Sequence, residues 1–167
     1  MFQTPLVMTT FKKMNLKLAT VQDETKRLAE LQFVVEPFPA VLAREVSENL
    51  AAYLFSAPEA LDATPRGDVT DLTYALAQHL WRMRINLVPD SDVGQIRIEP
   101  VGLRPLKVHL KDPDADVLQL VAVVTAVHVI DPSTPLRDLV EQFGNIVHLT
   151  FERMQPDLLD ADVKKGR

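Results

Sequence analysis

The sequence predicts an α+β domain: a predominantly antiparallel β-sheet of seven or eight strands, sandwich-like, with two helices. Three observations carry this expectation. Apolar residues recur at every second position in several short runs, whereas two stretches shift to a helical period. Twelve prolines in 167 residues fall mostly between the apolar runs, as breaks between many short elements would. The short connections favour antiparallel neighbours, and no internal repeat suggests a solenoid or propeller.

Taken in order, residues 1–13 have no clear period and read as a flexible N-terminal arm. A single domain then spans 14–155, and 156–167 form a charged, mobile tail. A strand starts at Asn15. Ala29, Leu31, Phe33 and Val35 alternate with Glu30, Gln32, Val34 and Glu36, a half-buried strand paired with the first across a turn near Gln22 to Lys26. Pro37 and Pro39 end it. From Ala40 to Phe55 the period changes: Leu42, Val46, Leu50 and Leu54 fall on one line of an amphipathic helix, with Arg44, Glu45, Glu48 and Asn49 opposite.

Ser56 to Asp68, with two prolines and Gly67, is a loop. Val69 to Leu80 fits either period, and a strand is preferred because the next segment is clearly one. In that segment Trp81, Met83, Ile85 and Leu87 alternate with Arg82, Arg84 and Asn86, and Pro89 to Asp92 make a turn. Two further strands set Ile96 and Ile98, then Leu106, Val108 and Leu110, against polar neighbours. Val117 to Ile130 is apolar on both faces, as a strand covered on both sides would be. Ser133 or Thr134 then caps a second helix with Pro135 in its first turn, an apolar stripe of Leu136, Leu139, Val140 and Phe143, and Gly144 as its stop. Ile146 to Arg153 returns as a strand with Val147, Leu149 and Phe151 inward.

Composition removes several classes of function. The chain has no cysteine, which leaves no disulfide, thiolate metal site, iron–sulfur cluster or Cys nucleophile. Without a signal-peptide pattern it is expected in the cytoplasm. Five glycines and no phosphate-cradling motif give no reason to expect a cofactor. The longest apolar run, Leu118 to Ile130, is too short for a membrane-spanning helix, which takes about 20 residues, so no membrane partner is expected. A net charge of −5 does not favour nucleic acid through total charge.

Four groups of residues could still carry chemistry. If the three strands after Leu80 pair as a meander, Arg82, Arg84, Arg97, Lys107, His109 and Lys111 share one outward basic face, with Arg104 at the intervening turn. Phosphate or a carboxylate-rich partner would suit that face, but no outward aromatic accompanies it as a stacking platform. Asp112, Asp114 and Asp116, with Asp90 and Asp92 elsewhere, could offer oxygen ligands, although the expected glycine and bidentate Glu are missing, so no metal is expected. His79, His109, His128 and His148 are dispersed without ligand spacing; His128, on the most apolar strand, reads as a core imidazole with a satisfied hydrogen bond. Finally, the helix end at Tyr53, Leu54 and Phe55 and the long strand with Val117, Val121 and Val123 could form an interface, the strand offering an edge if it outruns its neighbours.

No nucleophile elbow or paired acid–base motif accompanies these groups. The sequence therefore reads as a non-catalytic binding or assembly protein, a homo-oligomer or partner of another protein, acting through sheet edges and exposed faces. The alternatives are a nucleic-acid-associated accessory protein using the basic face, and a hydrolase or transferase with a site gathered from dispersed His and Asp residues.

Overall fold

The first two strands form one long hairpin. A computed structural model describes residues 6–88, 91 and 93–154. In it β1 (Leu6–Val21) pairs antiparallel with β2 (Glu24–Val35) across a two-residue turn. Gln22 and Asp23 both take positive φ, 52° and 64°, the twist that lets two right-twisted strands meet at a tight turn. The expectation of a loose arm over 1–13 is thus corrected for 6–13, which are strand. Their pattern is hard to read because the register slips between Phe11 and Lys13. Beyond that bulge the apolar residues change from odd to even positions.

Two short helices follow β2, α1 (Ala40–Val46) and α2 (Glu48–Leu54), in place of the single helix expected over 40–55. The break is Ser47, whose backbone is extended and whose hydroxyl accepts a hydrogen bond from the Asn49 amide. Serine competes well as a cap, so the chain restarts a helix there. Leu42, Ala43, Leu50, Ala51 and Leu54 face inward as the period requires.

Of Val69 to Leu80, residues β3 (Leu72–Tyr74) are strand and 75–80 have no regular structure. Next come β4 (Trp81–Asn86), β5 (Ile96–Leu103) and β6 (Leu106–Leu110), which alternate between buried and outward positions except at Glu99 and Pro100 of β5, both exposed. The apolar run after them becomes β7 (Leu120–Val129), shorter than the expected 117–130. Then follow α3 (Leu136–Gln142) and β8 (Ile146–Arg153). Gly144, at φ 85°, ends α3 as anticipated, and Val147, Leu149 and Phe151 point inward. The cap of α3 differs from expectation: Pro135 holds the N-cap position without a side-chain bond. Leu139 alone of the expected stripe is fully buried, and Val140 and Phe143 are exposed.

All pairings are antiparallel, in the order β2-β1-β8-β4-β5-β7-β6-β3, with β2 also paired to β7. That last pairing closes six of the eight strands into a ring, and the two layers of the predicted sandwich are opposite walls of this one sheet. β7 is the central strand the apolar run implied. β2 lies along one edge; β5 and then β6 lie along the other. α1 and α2 follow the Val35 end of the β2–β7 pair, while α3 follows its Val129 end. One core fills the interior, with Phe11 and Phe33 stacked at a centroid distance of 4.9 Å. Phe33 sits on the closing strand, opposite Val124. Phe33→Ala should lower unfolding stability by about 3–5 kcal/mol, because it empties the centre of the closing pair; a urea titration measures this.

Candidate functional site

The basic face is the first group the fold rearranges. β4 and β5 pair, but β5 and β6 do not form a hairpin. They run end to end along β7, joined by the Arg104 amide bonding to the Thr125 carbonyl at 3.0 Å. The expected meander is therefore corrected: Arg82, Arg84 and Arg97 lie on the β4–β5 wall, and Lys107, His109 and Lys111 lie along β6 and just past its end. Acids also reach three of these six, and Arg104. Glu99 and Glu152 flank Arg82, and Glu152 bonds the Arg84 guanidinium at 3.1 Å. Glu36 pairs with Lys111, and Glu30 lies 3.6 Å from Arg104. The Glu99 hydrogen bond, with its charge, raises the Arg82 pKa above its ordinary value. What sequence alternation marks as a basic surface is, around Arg82 and Arg84, a mixed-charge ladder in three dimensions.

The interface residues divide in a similar way. Leu54, Phe55 and Val121 are buried in the domain and offer no surface, while Val123 is half-buried. Tyr53 and Val117 are exposed, but Val117 lies in the loop before β7, not on the strand. With neighbours on both sides, β7 has no extended free edge, which corrects that expectation.

Asp112 accepts a bond from the Asp114 amide at 3.0 Å, the ordinary backbone role of aspartate in a turn. Asp90 and Asp92 lie outside the described residues. Among the described residues, no three metal-ligating side chains gather.

The histidines stay apart. His109 is half-buried on β6, and His148 is half-buried on β8 with its Nδ1 unbonded. His128 is 2% exposed; its Nδ1 lies 2.8 Å from the Pro100 carbonyl and its Nε2 2.8 Å from the Thr134 hydroxyl. Because a carbonyl can only accept, Nδ1 is the donor in this contact. This is the satisfied core imidazole that the apolar strand implied. Thr134 belongs to a turn organised by Asp131, whose Oδ1 accepts from the Ser133 amide and hydroxyl at 2.8 and 2.6 Å. So Ser133 and Thr134 serve this turn and not the helix cap.

Two features that local sequence pattern did not single out are more open. One is a cleft of about 790 Å³ with Tyr74, His79, Trp81, Arg84, Glu45 and Glu152 in its lining. Trp81 is 4% exposed, with His79 edge-on at a centroid distance of 6.1 Å. Its Nε1 and the Arg84 Nε are buried without an acceptor. Chemically the cleft offers aromatic surface, donors and carboxylates. It joins α1, the segment around β3 and β4, and β8, which lie far apart along the chain, so no local pattern reveals it.

The other is the distal half of the β1–β2 hairpin. β8 covers β1 at Leu6, Thr9 and Thr10, and the pairing ends with Phe11, which bonds Asn145 and Gly144 at 3.0 and 2.8 Å. Beyond Phe11, no described residue bonds to the outer edge of β1. Met14, Leu16 and Leu18 stand opposite Leu31, Ala29 and Arg27, so they continue the core-facing side of the ring. Leu16 is 58% and Leu18 72% exposed. Their alternation with Asn15 and Lys17 was the available sequence signal.

No protein-family model, curated protein or solved structure matches this chain. Among the described residues, none of the three helices, each of seven residues, is long and apolar enough to cross a membrane.

The Asp131 turn gives a pH test. Bonds from Ser133, first from its hydroxyl, lower the Asp131 pKa. A lowered folded pKa contributes stability above the ordinary aspartate value, about 3.9, that is lost as pH falls through the folded value. Asp131→Asn should therefore melt below the parent at pH 7, with the gap closing towards pH 2. A gap that stays constant with pH would assign the effect to geometry instead of charge.

Proposed function

We propose that this protein is a non-catalytic assembly protein that self-associates through the exposed edge of its long hairpin. The observation that carries the reading is the outer edge of β1 beyond Phe11, which has backbone groups without described partners and Leu16 and Leu18 on its core-facing side. Single exposed leucines are common on protein surfaces and need no explanation. Two on consecutive same-face positions of an open edge are different, because backbone bonds and apolar burial become available to one incoming strand together. The lysines nearby do not close the edge. Lys13 and Lys17 project from the opposite face, and Lys17 is paired with Glu30 at 3.1 Å.

Native mass spectrometry of the purified chain should give a dimer or larger closed species. Leu18→Lys, at an exposed position that leaves the core intact, should shift it towards monomer. Burying a leucine contributes about 1.5–3 kcal/mol, so losing one from each copy should raise the dissociation constant at least tenfold. A parent that remains monomeric at micromolar concentration would refute the reading.

A further inference from the structure

We infer that the occupant of the β1 edge is β1 of a second copy, paired antiparallel about a two-fold axis through Leu16. This rests on the self-association reading and specifies its geometry. Phe11 directs its amide and carbonyl towards Asn145 and Gly144, on the side of β1 away from β2. Residues on the same face of a strand direct their backbone groups to the same side. Met14, Leu16 and Leu18 share the face of Phe11, since they stand opposite the alternating β2 positions Leu31, Ala29 and Arg27. Their amides and carbonyls therefore point out of the free edge. The two-residue turn agrees: Val21 opposite Glu24 closes the hairpin, which turns the odd positions towards β2 and the even ones away.

An incoming strand must then pair even positions with even positions, which leaves few registers. Centred on Leu16, that residue meets the partner's Leu16, Met14 meets the partner's Leu18, and Leu18 meets the partner's Met14. On the other face Asn15 meets the partner's Lys17, and Lys13 meets the partner's Ala19. Met14, Leu16 and Leu18 each gain an apolar partner, and no lysine faces a lysine. Neighbouring registers lose one or both properties. Centring on Lys17 sets it against the partner's Lys17, and centring on Asn15 sets Lys13 against the partner's Lys17. Centring on Leu18 places Leu16 opposite the partner's Thr20 and Met14 opposite the partner's Gln22 in the turn. The edge is self-complementary at one position, as a two-fold interface requires.

The absence of cysteine makes the test direct. In Leu16→Cys the two thiols should face each other across the axis, with Cα atoms about 5.5 Å apart, within disulfide range. Mild oxidation should convert most of the chain to a covalent dimer. Mixing Asn15→Cys and Lys17→Cys chains should give the mixed disulfide across the closer, non-hydrogen-bonded pair. Thr20→Cys should not cross-link, because its two copies would lie about 26 Å apart, roughly eight residues along the strand. If the native mass is dimeric but neither the Leu16 nor the mixed disulfide forms, this pairing is overturned and self-association stands by another surface. A monomeric native mass overturns both.

Discussion

The pairing of β2 with β7 is the constraint on which the rest of the structure depends. Its ladder runs from Leu28 opposite Val129 to Val35 opposite Ala122, and it joins the first hairpin to the most apolar strand. Without it the sheet would be an open ribbon of eight strands whose inner face had nothing to cover it. With it, six strands enclose one core, and the helices occupy the two ends of the closing pair. Phe33, stacked on Phe11 and opposite Val124, sits where closure and core packing meet. A closed ring also removes sheet edges, which decides where any remaining edge can lie. Among those that remain in the described strands are the three-residue outer side of β3, and β1 beyond Phe11.

Local pattern made much of the sheet legible in advance. Strands β4 and β8 follow from alternation alone, as do the inward positions of β2, β5 and β6, because a half-buried strand must alternate. The doubly apolar run at β7 implied a strand covered on both faces; its even positions are buried, whereas on the other face Val123 and Val127 are half-buried and Val129 is exposed. Less legible were features that depend on a single residue's competing preference. Ser47 splits a helix whose apolar line continues unbroken through it. The bulge near Lys12 moves the apolar positions of β1 from odd to even, so a paired strand reads as a segment without a period. Arg104 and Pro105 resemble a hairpin turn, yet the chain passes straight through them along β7. Each is a local event whose outcome is set by which distant strand the segment meets.

The same reason explains why the basic face was misread and the hairpin edge was missed. Alternation correctly placed Arg82 and Arg84 outward. It could not show that Glu152, 70 and 68 residues away along the chain, would arrive beside them. The carboxylates disappear into the count of net charge, although in space they pair with Arg82, Arg84 and Lys111, half of the patch. Met14, Leu16 and Leu18 alternate as clearly as any core strand, so the natural inference is that they are buried. Only the ring's geometry shows that β8 stops pairing at the base of the hairpin and leaves Leu16 and Leu18 outside, while Met14 stays partly buried against the core.

The length of that hairpin is the last point the fold has to explain. β1 has 16 residues, but its pairing with β8 ends at Thr10, so ring closure requires little more than its first third. The remainder carries the hairpin past β8, with β7 still behind β2 as far as Leu28 and only two strands from Leu18 to the turn; its outer side is a free edge beside an apolar face, a combination that natural sheets usually shorten, twist away or cover. Here the extension is regular from Lys13 to the turn, and its lysines project from the face opposite the leucines. An edge guarded against all partners would carry charge on its apolar side. This one carries none there between Met14 and Leu18, and it places its charges where a single antiparallel register keeps them apart. A two-fold pair would consume this edge in both copies at once, so the feature that would make a monomer liable to aggregate would instead limit assembly through it to a closed dimer.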